Sequence, residues 1–434
     1  MAGGLMQLVA YGAQDVYLTG SPKVTFFQAV YKRHTNFAME TIEQVVNGSV
    51  GDGARLSVTV ARNGDLIGEM YLEMLASDSL AYLSDQGGSS FSGEWVAERA
   101  VADVELTIGG QRIDKHYQKW WRLYSELYLD EAKRVQYGKM TSASKDTSKV
   151  YLPLIFFFNR NPGLYLPLIA LQYHEVRLDI TLTAAFDDYL QTTGFKVWGN
   201  YVYLDTEERR RFAQKGHEYL IEQVQHTGVD TVEANKPGSA KQVRLSYNHP
   251  VKELVWCFSG SGTSATRNDM WDTTSNIGST ELSTIPVSSA DSNCYISPNV
   301  LGAPLVLQNG VSSNVWVEEG KVENPNSVGP LSTFKLILNG QDRFKEQSGK
   351  YFNQVQPFYH HSGNPYPGIY SYSFALKPEE HQPTGTCNFS RIDNAQVAVA
   401  QKADTDRTTS MHMFAVNYNV LRIQSGMGGL AFSN

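Results

Sequence analysis

The sequence predicts an all-β chain assembled from a duplicated domain. Three observations carry that expectation. Short runs of alternating apolar and polar residues are broken by Gly, Asn and Pro. The composition is rich in Gly (36), Tyr (24) and Phe (19), with charged residues at only 19%, which favours strands and tight turns. Several motifs of the first half return, in the same order, in the second. With 434 residues, 41% of them hydrophobic, the chain has ample material for two large cores. An aromatic content of 12% excludes a disordered chain.

The elements follow in order. Residues 55–61, RLSVTVA, place Leu56, Val58 and Val60 on one strand face. Asn63-Gly64 then leads into LIGEMYLEML (66–75), and Asn-Gly between two such runs predicts a hairpin. LTIGGQRIDKHYQKWW (106–121) carries a glycine pair at the end of a strand. Beyond it Tyr117, Trp120, Trp121, Tyr124 and Leu127 recur at helical spacing and predict an amphipathic helix over 115–129. Further strands are expected at 151–158, 164–171, 175–183 and 196–204. Asp205 with Glu208 resembles a capping box opening a short helix, and Arg209-Arg210-Arg211 reads as its solvated face.

The pattern then restarts. VRLSYNHPVKELVWCFS (243–259) echoes the strand–turn–strand layout of 54–74, and FKLILNGQDRFKEQ (334–347) echoes LTIGGQRIDKHYQ. GIYSYSFAL (368–376) parallels 151–158, and FAVNYNVLRI (414–423) parallels VWGNYVYL (197–204). The spacings between partners are unequal, so the loops of the two copies differ in length. Residues 226–240 read as the junction between halves or an early loop of the second. The extra length lies at about 259–330, a stretch rich in Ser, Thr, Asn and Gly that belongs at the surface.

A Gly-Gly pair at a strand end can cradle a phosphate with backbone N–H groups. Here the corner occurs twice, with Gly340-Gln341 in the role of Gly110-Gln111, and recurrence makes it architectural. The glycines supply a backbone shape barred to residues with a Cβ, and the glutamines can bond free backbone groups.

Reaction chemistry is not legible. The ten histidines are scattered without a His-x-His pair, and His360-His361 has no acidic neighbour in sequence. His174 and His217 adjoin Glu and His116 lies two residues from Asp114, but each lacks a second ligand at useful spacing. No Gly-x-Ser-x-Gly elbow occurs. Cys257, Cys294 and Cys387 show no CxxC spacing, so neither a disulfide framework nor a zinc site is expected. No cofactor is implied. Trp120-Trp121 suit a core better than a sugar platform. The net charge of −7 is shared by both halves and excludes a broad nucleic-acid surface. The N-terminus, MAGGLMQLVAYGAQD, lacks the basic start of a secretory signal, and its apolar stretch is interrupted at Gln7. YLPLIFFF (151–158) and GLYLPLIAL (163–171) are each too short to span a bilayer, so no transmembrane segment is expected. The sequons at Asn47 and Asn388 read as unmodified turn asparagines.

LVAYGAQDVYLTGSPKVTFFQAVYKRHTNFAME, IGGQRIDKHY, YLPLIFFFNRNPGLYLPLIALQYHEV, GTCNFSRIDNA and NYNVLRIQSGMGGLA, taken in order, resemble the major capsid proteins of nucleocytoplasmic large DNA viruses, in particular the chlorella-virus type. The resemblance spans the chain and weakens most at about 259–330. It implies two consecutive eight-stranded antiparallel jelly rolls with short helices in loops: an N-terminal arm at 1–25, a first jelly roll at 26–214 and a second at 215–434. It further implies a homotrimer with a nearly hexagonal outline, a capsomer that meets neighbouring capsomers and, on its inner face, minor capsid proteins. The expected location is the virion shell, after synthesis and assembly in host cytoplasm. No enzymatic role is implied. Glycans are expected on outward loops of the second jelly roll, attached at atypical asparagines, with Asn276 as a weak candidate. A carbohydrate-binding jelly-roll module and a metal-dependent bicupin are the competing classes. A stable trimer speaks against the first, and absence of stoichiometric metal after purification against the second.

Overall fold

A computed structural model describes residues 3–77, 95–143, 148–184, 186–232, 240–260, 328–365, 368–402 and 409–432. The chain divides into two compact units, Met1–Phe37 and Ala38–Asn434. The first holds two short helices, Gly3–Val9 and Val16–Thr19. Asp15 braces the turn before the second helix, accepting from the Gly12 N–H at 2.8 Å. Its apolar side chains lie open, Phe26 at 90% and Phe27 at 99% exposure.

The second unit contains four antiparallel sheets. One is ordered β1 (Phe37–Gln44), β10 (Lys196–Leu204), β4 (Leu66–Leu75), β7 (Lys149–Pro153), with β8 (Leu166–Pro167) added to β4. Facing it is β2 (Val46–Asn47), β3 (Arg55–Thr59), β9 (Val176–Leu182), β5 (Val101–Ile108), β6 (Gln111–Tyr117). The other two sheets repeat the arrangement. The third runs β11 (His217–Val232), β20 (Thr409–Gln424), β13 (Pro250–Gly260), β17 (Ile369–Ser373), with β18 (Cys387–Asn388) on β13 and β21 (Met427–Leu430) on β20. The fourth runs β12 (Lys241–Leu245), β19 (Ala395–Gln401), β14 (Leu331–Leu338), β15 (Gln341–Asp342), with β16 (Gln347–Ser348) on β14. Setting aside β2 and these short accessory strands, each half has eight, and chain position maps onto sheet position identically in both. Two jelly rolls follow one another along the chain.

Side-chain alternation explains the layering. Along β9, Val176, Leu178, Ile180 and Leu182 point into the first core while Arg177 and Asp179 pair outside at 2.7 Å. Leu56 and Val58 join them from β3, opposite Ile67, Leu72 and Val150 of the facing sheet. The second core is aromatic: Trp256 stacks on Phe334 at 4.3 Å, with Phe352 and Tyr370 beside it.

Several expectations are corrected. Asn63-Gly64 is not a hairpin turn, because β3 and β4 lie in different sheets. A two-residue hairpin would keep both strands in one sheet, whereas this connection crosses so that their apolar faces meet. Gly64 is instead pressed by Tyr201, to which an added Cβ would come within 2.9 Å. The helix expected at 115–129 begins at Gln118, since residues 111–117 pair with β5. The strand expected at 151–158 ends at Pro153, and Phe157–Arg160 is a helical turn. Of 164–171, only Leu166–Pro167 is extended. The helix Thr206–Gln214 is present, but the Asp205 side chain makes no capping bond. Arg209 of its triplet reaches Asp65 at 2.8 Å, and Arg210 and Arg211 are exposed. Most of the loop at about 259–330, including Asn276 and Cys294, lies outside the described residues.

Candidate functional site

The repeated corners are both two-residue hairpin turns. Gly109-Gly110 joins β5 to β6, with Ile108 opposite Gln111, and Asn339-Gly340 joins β14 to β15, with Leu338 opposite Gln341. All four turn residues have positive φ: 59° and 82° in the first turn, 50° and 80° in the second. Positive φ at both central positions is the primed turn that matches strand twist. No phosphate cradle is needed to explain them. The Gln111 side chain does more than close its turn, because its Oε1 accepts from the Leu430 N–H at 3.1 Å. Gln341 is exposed.

That Gln111 bond belongs to a long seam between the jelly rolls. The helix Gln118–Leu127 turns Trp121 into the first core, where its Nε1 donates to the Pro153 carbonyl at 3.2 Å. Trp120 points to the second jelly roll and meets Phe414 at 5.6 Å between ring centres. Tyr117 packs on His226 at 5.0 Å. Asp114 accepts from the Val224 N–H at 3.0 Å, and the Gln223 amide donates to the Ile113 carbonyl. Beside the Gln111 turn, Tyr173 donates its N–H to the Gly426 carbonyl at 2.9 Å, next to the His174–Gly428 contact at 2.8 Å. One hydrophobic cluster runs through the seam, combining the first core with Val255, Cys257, Phe414 and Val416 of the second sheet pair.

Charges are buried along the same seam. Glu222 on β11 receives Arg160 of the first jelly roll at 2.9 Å and Lys252 at 2.7 Å. Burial works to raise the Glu222 carboxyl, but these two cations overcome it and hold it below the ordinary range. Burial pushes Lys252 below the usual lysine value against the pull of Glu222. Lys252 lies where the β13–β20 ladder slips by a residue, between Val251 and Glu253.

His361 meets Glu253 at 3.1 Å and Glu379 at 3.4 Å, with both His361 and Glu253 fully buried. Burial opposes its charge, yet the two carboxylates prevail and lift it to about 9. The absence of an acidic neighbour in sequence was therefore no guide, since both partners arrive through the fold. They approach opposite ring nitrogens and cannot converge on one ion. Among the described residues no His, Cys, Asp or Glu group is arranged to hold a metal. Next to this pair, the Gly363 N–H donates to Leu127 at 3.0 Å and Arg134 reaches the Asn364 carbonyl at 2.7 Å.

In a second histidine pair burial works against the charged form. His226 stacks on Phe414 at 4.5 Å and faces His412 at 6.1 Å, whose Nε2 contacts Ser259 Oγ at 2.9 Å. Burial, with Lys119 and His226 nearby, drives His412 down to about 3, and burial lowers His226 as well.

The remaining candidates are structural. His116 is buried against Asp114 at 3.0 Å, and His217 contacts the Phe212 carbonyl at 2.8 Å. Burial raises the Cys257 thiol to about 11, the opposite of an activated nucleophile. The Asn388 side chain accepts from the Ser390 N–H at 3.0 Å. No helix among the described residues is long and apolar enough to cross a membrane. Among the described residues this geometry offers rigid packing and ionic locking.

Comparison with known proteins agrees with that picture. Residues 25–205 match the family model of the major capsid protein N-terminus, and residues 208–429 match that of the large eukaryotic DNA virus major capsid protein. The chain is 43% identical to the major capsid protein of Paramecium bursaria Chlorella virus 1, with all of both chains covered. It is 40% identical to that of Pyramimonas orientalis virus, again over both full lengths. Among solved structures, a chain of the PBCV-1 virus capsid superposes with a TM-score of 0.75 at 40% identity, covering 94% of this chain and all of the other. The Faustovirus major capsid protein, at 12% identity and a TM-score of 0.65, shares the fold over 97% of this chain and 96% of its own. A doubled jelly roll locked along a buried seam, matched end to end by these relatives, shows that the chain belongs to the major capsid proteins of large eukaryotic DNA viruses, structural components of the virion shell.

Proposed function

We propose that three copies of this chain close into a homotrimeric capsomer with a nearly hexagonal outline, and that such capsomers tile an icosahedral shell. The observation that carries this reading is the identical strand order of the two halves. Three chains then present six similar lobes, while strict symmetry remains threefold. Residues 1–25 would act as an arm, 26–214 as the first lobe and 215–434 as the second, with the corners at Gly110-Gln111 and Gly340-Gln341 as equivalent points of the duplication. Loops at about 259–330 would crown the outer end and carry glycans, Asn276 among the candidates. The opposite end would meet minor capsid proteins. Assembly takes place in host cytoplasm, and the chain's work is structural, with no reaction to catalyse.

Each interface within such a trimer should bury more than ~2,000 Å², as permanent assemblies do. Mass photometry of the purified chain tests the reading. Trimers of the 48.4 kDa chain that persist at nanomolar protein are expected. Free monomers dominating at micromolar protein would overturn it, and a monomer with a glycan-array signal would favour a sugar-binding module.

A further inference from the structure

The buried seam has a twin that is left open. Ile42-Glu43-Gln44-Val45 recurs as Ile221-Glu222-Gln223-Val224. The first lies at the end of β1 and the second within β11, and these strands hold the same outer place in their sheets, beside β10 and β20. The two glutamines turn the same way, toward the neighbouring long strand: Gln44 accepts from the Tyr201 hydroxyl at 2.9 Å, Gln223 from Asn419 at 3.0 Å. Their neighbours differ sharply. Glu222 is 6% exposed beneath Arg160 and Lys252, and Val224 is half-buried against the first core. Glu43, by contrast, has 46% of its side chain exposed with only the part-exposed Lys196 at 3.1 Å, and Val45 is 75% exposed.

The covering element has an open counterpart too. In the first jelly roll, the segment between β6 and β7 supplies the helix Gln118–Leu127, whose Trp120 seals the seam. The corresponding segment of the second, between β15 and β17, supplies the helix Gln356–His360. There Phe358 and Tyr359 stand 81% and 71% exposed, edge to face at 5.1 Å, with Leu376 at 74% nearby, its carbonyl 3.1 Å from His360.

We infer that the Phe358–Tyr359 patch of one copy docks on the Glu43–Val45 face of another, repeating between chains the packing that the seam makes within one. The open face is built like an interface: Tyr71 and Tyr151 meet at 5.9 Å, and Trp198 donates to Glu73 at 2.8 Å, all three rings half-buried. Patch and face lie on different jelly rolls, so the contact is head-to-tail. A head-to-tail contact forms a closed ring only when its rotation divides a full turn, and a ring of three chains, as in the trimeric reading above, needs ~120° per chain. The inference rests on the trimeric reading above and adds where the copies touch.

A photocrosslinking residue placed at Phe358, with Val45→Asp and Phe358→Asp as separate variants, tests it in the full-length chain. Crosslinks should map to residues 38–75 or 196–204 of a different copy. Each variant should raise the protein concentration at which trimers fall apart at least ~10-fold, the scale of a central interface anchor. Both side chains are exposed in the single chain, so monomer melting should be unchanged, and the crosslink stands even if a variant folds poorly. Wild-type trimers whose crosslinks fall elsewhere, or variants with full-strength trimers, would overturn the docking while leaving the capsomer intact. Wild-type monomers would instead overturn the capsomer, and the docking with it.

Discussion

His361 and His412 lie on the same seam and titrate in opposite directions, which gives stability a defined pH dependence. In the unfolded chain both have values near 6.5. His361, lifted to about 9 by Glu253 and Glu379, binds its proton more tightly when folded. Its contribution is fully present below pH ~6.5 and is lost as pH rises through about 9, on the order of 3 kcal/mol in all. His412, lowered to about 3, and His226, also lowered, resist protonation when folded. Their neutrality is favourable above pH ~6.5, and stability falls as pH drops toward about 3. Urea midpoints should therefore peak near pH ~6.5. His361→Gln should flatten the alkaline limb and His412→Gln the acid one, and two unaltered limbs would remove both assignments. None of this was legible in sequence. Glu253 and Glu379 approach His361 from separate elements, and the one visible clue, two adjacent histidines, pointed away from any partner.

Among elements, the hairpin turns give the sharpest test. An added Cβ at Gly110 or at Gly340 would meet nothing within 4 Å, so substitution there is opposed by backbone conformation alone. With φ at 82° and 80°, Gly110→Val and Gly340→Val should each cost more than ~1 kcal/mol in urea unfolding, and by similar amounts. Asn at either position should cost little, since Asn339 already holds φ of 50° in the second turn. Gly109 differs, because a Cβ there would fall 2.3 Å from the His174 ring. Several strands were readable: 66–75 and 196–204 match β4 and β10 end to end, and 175–183 overlaps the alternating β9 almost completely. YLPLIFFF was not, for a physical reason. Phe156, Phe157 and Phe158 are all buried, so no polar face marks where extension gives way to a helical turn. The Asn63-Gly64 misreading has a different source. Periodicity locates strands but does not say which sheet each joins.

For the whole molecule, the duplication was visible as motifs recurring in order, while the seam was not. Its contacts join Asp114 to Val224 and Arg160 to Glu222, pairs that no local pattern links. Contacts between capsomers face a different demand from those within one, since a misplaced block must be able to leave a growing shell. They should be smaller, more polar and screened by salt, exposed charge pairs fading beyond ~8–10 Å at ordinary ionic strength. In a salt titration followed by mass photometry, higher assemblies should dissociate while trimers remain. Trimers and higher assemblies failing together would contradict that hierarchy.

The covalent passage from β10 through the helix Thr206–Gln214 to β11 has one more consequence. It turns the meeting of two lobes into an intramolecular event, governed by an effective concentration of order millimolar for a short tether. The Arg160–Glu222 lock is therefore indifferent to how dilute the chain becomes. The Glu43 face has no such tether and answers to mass action. Early in infection, when few chains have been made, each should already be a finished pair of lobes, and only rising abundance should bring its open side into use.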